Sequence, residues 1–153
     1  MARLPLRDRT GNLLVAVRRV AESELPRLVP LPAALVVAVH AGAVLMLFDR
    51  RRRQWELPGG MREPGERCRE AAARELGEET GIHGVPLTFA AVAEFDLVAP
   101  ARREFLAVYR TELVTAPRLV PSEEGLGFRW WPPREPVEAD MSPLDAELAA
   151  RVT

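Results

Sequence analysis

The stretch from Gly60 to Ile82 constrains the fold of this chain more than any other. It reads GMREPGERCREAAARELGEETGI. Helix-favouring residues dominate between Pro64-Gly65 and Gly81, which are typical of the start and the end of a helix. The spacing therefore predicts a helix from Glu66 to about Glu79, and it predicts that Pro58-Gly59-Gly60 forms a loop before that helix.

Three glutamates near the end of this helix lie on one side of it. At about 100° per residue, Glu75, Glu78 and Glu79 fall within roughly a 100° arc. Three small residues project to the same side as Glu75 and Glu79: Cys68, Ala71 and Ala72. The far side carries Arg67, Glu70 and Gly77. A solvated acidic face would lie opposite the small residues, so the pattern predicts carboxylates that point inward, into a cleft.

An inward cluster of carboxylates requires a compensating cation. Carboxylate oxygens at this density suit Mg²⁺ or Mn²⁺, and no histidine or cysteine lies among them to favour zinc. Arg74 lies one turn after Glu70 and one turn before Glu78, where it can form salt bridges that orient the acids. The glycines before the helix allow a metal or a phosphate to approach the backbone closely.

The same stretch matches the pattern G-x5-E-x7-R-E-U-x-E-E-x-G-U at every defined position, where U is an aliphatic residue. The chain therefore resembles the MutT-like Nudix hydrolases, whose Nudix box has this pattern. The resemblance extends over roughly residues 33 to 135, and Trp55 to Gly60 looks like the usual approach to the box. It implies an α/β (α+β) fold, an α/β/α sandwich with a mixed β-sheet between helices.

The resemblance also implies roles for individual residues. Glu75, Glu78 and Glu79 would bind Mg²⁺ or Mn²⁺ through their side chains, with help from a backbone carbonyl near Gly59. Arg74 would orient Glu75, and Glu66 would support that network from the start of the helix. Gly60 and Glu66 would lie beside the bound substrate.

Nudix hydrolases often recruit one more glutamate from a loop before a late strand. Ser122-Glu123-Glu124-Gly125 occupies the comparable place, shortly before Trp130. The spacing favours Glu124 over Glu123 as the additional catalytic acid. The alternative is that both glutamates are solvated residues of a loop.

Two residues before the box are candidates for substrate binding. Arg50 opens a run of four arginines that can attract an anionic substrate, although the pattern favours a turn of solvated arginines. Trp55 can stack on a base or can pack at the end of a strand. The sequence leaves both choices open.

The remaining elements follow from hydrophobic patterning and from turn residues. Two short strands are expected in residues 1–20 around the turn at residues 8–12, and Ala21–Pro32 reads as an irregular linker. Strands are predicted at Leu13–Val17, Ala34–Val39, Ala43–Phe48, Phe89–Leu97, Arg103–Leu113 and Phe128–Trp131. The runs at 34–39 and 43–48 flank His40-Ala41-Gly42, and the sequence leaves open whether they are two strands or one bent strand. Arg102-Arg103 is expected to form a hairpin turn. A terminal helix is predicted from Pro143 to Val152, with Ser142 as its N-cap.

The 153 residues are expected to form one Nudix domain. In it, residues 1–32 are an N-terminal extension with a β-hairpin and linker, residues 33–136 form the core, and residues 137–153 carry the terminal helix. The net charge of −1 gives no sign of nucleic-acid or membrane binding. A single cysteine and the absence of a signal-peptide pattern favour the cytoplasm. A homodimer is left open.

These features predict a Mg²⁺-dependent pyrophosphohydrolase that cleaves a nucleoside diphosphate linked to another moiety. Such a substrate includes a nucleoside triphosphate or a nucleotide sugar, and water activated by metal would attack at phosphorus. The alternative is a Nudix-fold module that binds a nucleotide for regulation and turns it over weakly or not at all. The four glutamates of the box favour the enzyme, because a sensor has no need of all of them.

Overall fold

The computed structural model describes all residues, 1–153, and contains one nine-stranded sheet, two α-helices and a short 3-10 helix. The strands are β1 (Leu6–Arg7), β2 (Leu13–Arg18), β3 (Ala33–His40), β4 (Ala43–Asp49), β5 (Gln54–Glu56), β6 (Gly59–Met61), β7 (Thr88–Val98), β8 (Ala101–Glu112) and β9 (Gly125–Trp131). The helices are α1 (Cys68–Thr80) and α2 (Pro143–Val152), and the 3-10 helix spans Glu22–Arg27. No helix is long and apolar enough to cross a membrane.

The sheet is mixed. Its strands follow the order β1-β2-β7-β8-β3-β4-β5, with β6 beside the start of β3 and β9 beside β4. Only β3 and β8 run parallel, in a register from Ala33 opposite Leu106 to Val39 opposite Glu112. The other pairs are antiparallel. Because β6 pairs with β3 at its start and β4 pairs with β3 only at its end, a cleft opens between them.

One helix covers each face of the sheet. Side chains alternate along a strand, so successive residues of β3 face opposite sides. Ala34, Val36 and Ala38 pack in the same cluster as the apolar side of α1. Val37 and Val39 pack in the cluster that contains Leu144, Leu148 and Val152 of α2. The predicted α/β/α sandwich with a mixed sheet is therefore confirmed.

Most predicted elements are found close to their expected limits. Helix α1 begins two residues later than predicted, because Arg67 has extended backbone angles of φ −78° and ψ 157°. Helix α2 spans the predicted residues, and the Ser142 side chain accepts a hydrogen bond from the Asp145 amide at 3.3 Å. The N-terminal hairpin is also present, and β2 joins the sheet by pairing with β7.

Two local predictions were wrong. Gly59 and Gly60 are not in a loop but in β6, because a long-range partner, the Ala33–Leu35 segment of β3, provides hydrogen bonds for them. That pairing is very close, since a Cβ at Gly59 would lie 2.3 Å from the Ala34 carbonyl oxygen. Arg102 and Arg103 lie within β8 rather than in the turn, because Arg103 forms a cross-strand ion pair of 2.8 Å with Asp96.

Candidate functional site

A cleft of about 590 Å³ lies between the sheet, α1 and the start of α2. Glutamates of α1 and the glycines of β6 form one end of it, and the far end reaches the β1–β2 turn. The strands β7 and β8 provide much of its apolar surface through Phe95, Leu97 and Leu106. The volume falls in the range of about 300–1,000 Å³ that is typical of sites for small molecules.

Arg74 organises the acidic end of the cleft. Its Nε donates to Glu66 at 2.8 Å, and its Nη1 donates to Glu75 at 2.9 Å and to Glu78 at 3.2 Å. Its Nη2 donates to the Met61 carbonyl at 2.9 Å, which ties α1 to β6. A planar guanidinium can hold several carboxylates in fixed relative positions.

The expected contact of Arg74 with Glu70 is absent. Glu70 instead accepts hydrogen bonds of 3.0 Å from the backbone amide and the Nε of Arg67 at the start of the helix. The unpaired amides of a helix N-terminus attract a carboxylate at this position. The prediction of an Arg74–Glu70 salt bridge was therefore wrong, and Glu66 takes that place.

Glu75 lies against the backbone of β6. A Cβ on Gly60 would come within 2.7 Å of the Glu75 carboxyl group, so it would displace this carboxylate from the position in which Arg74 holds it. The Glu75 side chain is 14% exposed. Its burial raises the pKa of Glu75, although the Arg74 guanidinium acts in the opposite direction.

Glu79 is the most buried acid at this end of the cleft. It accepts a hydrogen bond of 2.8 Å from the Gly59 amide. Burial raises the pKa of Glu79 to about 8, and the nearby carboxylates of Glu75 and Glu124 add to the rise. A buried carboxyl group beside other carboxylates is ionised at neutral pH only if a cation compensates it.

The inward orientation predicted for the acids holds for Glu75 and Glu79 but not for Glu78. The Glu78 side chain is 60% exposed at the rim of the cleft, where Arg74 holds it. Gly77, which was expected on the solvated side of the helix, is buried because the His83 ring packs against it at 2.5 Å from the position of a Cβ. The helical projection covers only the residues of the helix, and His83 lies beyond its end.

Glu124 lines the same cleft as Glu75 and Glu79, whereas Glu123 is not part of its lining. The loop that carries Glu124 is held in place by the Arg50 amide, which donates to the Glu124 carbonyl at 2.9 Å. Glu124 is thus brought to the acidic end of the cleft from a segment far along the chain. Its carboxylate also contributes to the raised pKa of Glu75 and of Glu79.

Arg50 and Trp55 were expected to bind substrate, and neither side chain lines the cleft. Arg50 is exposed and contributes its backbone amide. Trp55 packs edge-on against Phe48, with ring centroids 5.1 Å apart, and the Arg129 guanidinium lies 5.5 Å from its ring. Because residues alternate along β5, Glu56 faces the cleft and Trp55 faces away.

Several residues of the cleft were not predicted. Arg52 donates to both carboxylate oxygens of Glu56, at 2.6 and 2.8 Å, and alternation after Trp55 is the sequence signal that points to Glu56. Asp145 accepts hydrogen bonds from the Leu57 amide at 2.8 Å and from the Ser142 hydroxyl at 3.2 Å. Burial raises the pKa of Asp145 to about 7, and the Glu56 carboxylate adds to it. No local pattern identifies Asp145, since tertiary packing brings it to the cleft.

The acidic end fits a divalent metal ion in its chemistry. It presents carboxylates and backbone carbonyls, which are the oxygen ligands that Mg²⁺ and Mn²⁺ prefer. The Glu75 carboxylate lies close enough to Glu79 to raise the pKa of Glu79, and the missing side chain of Gly60 leaves the position that the Glu75 carboxyl group occupies. No three acidic side chains already converge on a single point in this structure. Ligation would therefore require the exposed Glu78 or Glu124 to turn inward.

Among curated proteins, two relatives illustrate what the chain is similar to. The nucleoside triphosphatase NudI of Escherichia coli O17:K52:H18 is 36% identical over 97 residues, which cover 58% of this chain and 69% of that protein. An RNA pyrophosphohydrolase of Sphingopyxis alaskensis is 36% identical over 75 residues, which cover 48% of this chain and 42% of that protein. This chain spans less than half the length of the Sphingopyxis protein and of the next two curated relatives.

Solved structures show the same fold. The MutT Nudix hydrolase from Burkholderia pseudomallei has a TM-score of 0.67 at 22% identity, covering 79% of this chain and 95% of that one. The MutT protein from Methanosarcina mazei Go1 has a TM-score of 0.66 at 23% identity, covering 81% and 95%. A family model of the NUDIX domain matches residues 29–152, which confirms the family indicated by the box. The chain therefore belongs to the Nudix family.

Proposed function

We propose that this protein is a Mg²⁺- or Mn²⁺-dependent pyrophosphohydrolase that cleaves a nucleoside diphosphate linked to another moiety. The observation that carries the proposal is the set of carboxylates that Arg74 holds beside the glycine backbone of β6. This set lies at one end of a cleft with room for a nucleotide. The relatives agree with the proposal, since they include a nucleoside triphosphatase and an RNA pyrophosphohydrolase.

Glu75, Glu78 and Glu79, with the Gly59 carbonyl, are the groups that would hold the metal. Nudix hydrolases generally use divalent metal ions, and a divalent ion supplies charge that neutralises phosphate oxygens and lowers the pKa of water. Mg²⁺ and Mn²⁺ fit better than zinc, because no histidine lies among these groups and the buried Cys68 lines a different cavity.

The residues around these acids have positioning roles. Arg74 fixes Glu75 against Gly60, and Glu66 fixes Arg74 through two hydrogen bonds of 2.8 and 3.0 Å. The Glu79 carboxylate fixes the β6 backbone through the Gly59 amide. These contacts hold the β6 backbone and the α1 acids in one geometry, so that the phosphates can be oriented before reaction.

Hydrolysis forms one bond from the water oxygen to phosphorus and breaks one phosphorus–oxygen bond of the anhydride. The leaving phosphate keeps the bonding electron pair, and the proton of the attacking water passes to a base. We assign that base to Glu124, because it lines the cleft from a separate loop and its carboxylate lies close enough to Glu75 and Glu79 to raise the pKa of both. Glu123 does not line the cleft, so it serves as a control for Glu124.

The experiment is a hydrolysis screen over nucleoside triphosphates, oxidised nucleotides, nucleotide sugars and dinucleoside polyphosphates, with and without added Mg²⁺ or Mn²⁺. We expect phosphate-bond cleavage that depends on the metal and collapses in Glu78→Gln. Glu70→Gln is a matched control, because Glu70 lies on the outer side of the same helix. Ligand binding without turnover across the whole panel would contradict the proposal and favour a regulatory module.

The role of Glu124 has its own test. Glu124→Gln should lower turnover and change its dependence on pH, because a glutamine cannot accept a proton from water. Glu123→Gln should leave both unchanged. Full activity of Glu124→Gln at every pH would remove Glu124 from the mechanism and would leave the metal site untouched.

We also propose that the protein acts on small molecules in the cytoplasm, without nucleic acid or membrane as a partner. The single cysteine is buried and unpaired, which suits a reducing compartment. A cell fractionation that located the protein in a membrane or an exported fraction would contradict this.

A further inference from the structure

The N-terminal hairpin forms part of the cleft, although it lies outside the region that the family model matches. That match begins at residue 29, whereas the turn between β1 and β2 contributes Asp8 and Asn12 to the lining of the cleft. Strand β2 fixes the turn in place by pairing with β7 from Leu13 opposite Asp96 to Arg18 opposite Val92. The far wall of the cleft is thus built by residues outside the matched region.

The turn is a rigid wall, because its polar atoms are already paired with one another. Asp8 Oδ1 accepts hydrogen bonds from the Thr10 amide at 2.9 Å, the Thr10 hydroxyl at 2.8 Å and the Asn12 amide at 3.0 Å. The Asn12 side chain donates to Asp8 Oδ2 at 3.2 Å and accepts from the Val98 amide at 3.2 Å. That last bond attaches the turn to β7. The turn therefore shapes the cleft and offers a ligand few polar atoms of its own.

Beside this wall the floor of the cleft is apolar. It is formed by Leu35, Phe95, Leu97 and Leu106. Such a surface suits a flat ring that buries its faces against carbon atoms. A ribose or another phosphate would leave its polar groups unpaired there, because a buried polar group without a partner is costly.

Glu104 is the polar group at this end that remains available. Its side chain is 22% exposed and lines the cleft. Arg102 donates to Oε1 of Glu104 at 2.6 Å, and the second oxygen, Oε2, receives no hydrogen bond from the protein. A carboxylate only accepts hydrogen bonds when ionised, so the ligand must bring a donor.

The charges of the cleft exclude a second anionic group at this end. Arg52 is the one basic residue of the lining, and its guanidinium is paired with Glu56 and Asp49. Asp8 and Glu104 add negative charge beside the apolar floor. A phosphate placed here would meet carboxylates and no free cation, whereas a neutral amino group can donate a hydrogen bond to a carboxylate.

We propose that the β1–β2 turn and Glu104 select the base of the substrate, and that this base carries an amino group which donates to Glu104. The proposal rests on the proposed function, since it places the phosphates of the same nucleotide at the acids of α1. The apolar floor receives the ring, and the turn limits how far the base extends. Glu104 is the specificity-determining residue in this account, and Asn12 is a positioning residue that holds the turn in place.

The test compares kcat/KM for two pairs of nucleoside triphosphates that differ at an amino group, GTP with ITP and CTP with UTP. The wild-type protein should favour the amino-bearing member of at least one pair by about tenfold, the size expected for a hydrogen bond to a charged group. Glu104→Gln should reduce this preference to within about twofold. Glu112→Gln is the matched control, because Glu112 is an exposed acid on the same strand.

The variant Asn12→Ala tests the role of the β1–β2 turn separately. It removes the bonds that hold the wall and should raise KM several-fold for every substrate with kcat little changed, whereas general loss of folded protein would lower kcat. Turnover by the wild type without any preference, or an unchanged preference in Glu104→Gln, would overturn this proposal alone. No turnover of any substrate by the wild type would instead overturn the proposed function.

Discussion

Replacing Glu79 with glutamine should remove much of the pH dependence of stability of the metal-free protein between pH 5 and pH 8. Burial raises the pKa of Glu79 from an ordinary 4.5 to about 8. Through this pH range the folded protein holds the proton and the unfolded chain releases it. Glu79 therefore adds to the free energy of unfolding at low pH. This contribution is lost as the pH rises, at about 1.4 kcal/mol per pH unit and about 4 kcal/mol from pH 5 to pH 8.

The measurement is urea unfolding in EDTA at pH 5, 6, 7 and 8. Glutamine keeps an oxygen that can accept the Gly59 amide, so the variant retains that contact. The pKa of Asp145 is also raised, so both proteins lose some stability as the pH rises. The contribution of Glu79 is therefore the loss of stability between pH 5 and pH 8 in the wild type minus the loss in Glu79→Gln. Glu112→Gln, at an exposed position on β8, should behave like the wild type.

Added Mg²⁺ extends the same test. At pH 8 it should restore stability to the wild type, because it compensates the ionised carboxylate, and it should stabilise Glu79→Gln far less. The reasoning is refuted if the wild type and Glu79→Gln lose stability in parallel from pH 5 to pH 8. Parallel curves would mean that Glu79 is ionised in the folded protein without a cation.

Three further changes have expected results. Arg74→Lys should lower kcat by about 100-fold with little loss of folded protein in circular dichroism, since an ammonium group cannot hold Glu66 and Glu75 as the guanidinium does; unchanged kcat would contradict the positioning role. Gly60→Ala should lower kcat, because the new Cβ would lie 2.7 Å from the Glu75 carboxyl group and would move it away from Arg74; a variant with normal KM and kcat would show that Glu75 keeps its function after it moves. Ser142→Ala should lower stability by about 1 kcal/mol and Tm by about 3 °C in calorimetry, by loss of the N-cap of α2; no change in Tm would show that the cap contributes nothing.

The parts of the fold that local patterns determine were predictable from the sequence. Helix α1 follows from the spacing between Pro64-Gly65 and Gly81, and α2 follows from Ser142-Pro143. Strands β3 and β4 follow from two runs of apolar residues around a turn in which Gly42 has φ 77°. Each of these signals lies within the element that it predicts.

The parts that depend on distant partners were not predictable. Strand β6 exists because residues 59–61 meet β3, and two consecutive glycines carry no hint of that pairing. Trp55 was expected in the cleft and Glu56 is found there, because alternation says that neighbouring residues of a strand face opposite ways, but not which one faces the cleft. Asp145 accepts from Leu57 across 88 positions of the chain. Such a contact leaves no trace in either segment alone.

Within the acidic site, the positions of some residues were predictable from the sequence and those of others were not. The positions of Glu75 and Glu79 follow from the helical projection, and their burial agrees with it. The exposure of Glu78 does not, because Arg74 holds it at the rim at 3.2 Å. The contribution of Asp8 and Asn12 to the cleft was likewise invisible, since it depends on how β2 pairs with β7.

The most direct test of the central claim is a Mn²⁺ titration in which bound metal and turnover are measured on the same samples. Electron paramagnetic resonance reports the bound Mn²⁺, and product release from the best substrate reports turnover. We expect both to rise together in the wild type and both to be lost in Glu79→Gln. Turnover that persists in excess EDTA, or Mn²⁺ that binds equally well to Glu79→Gln, would contradict a metal-dependent hydrolase built on the acids of α1.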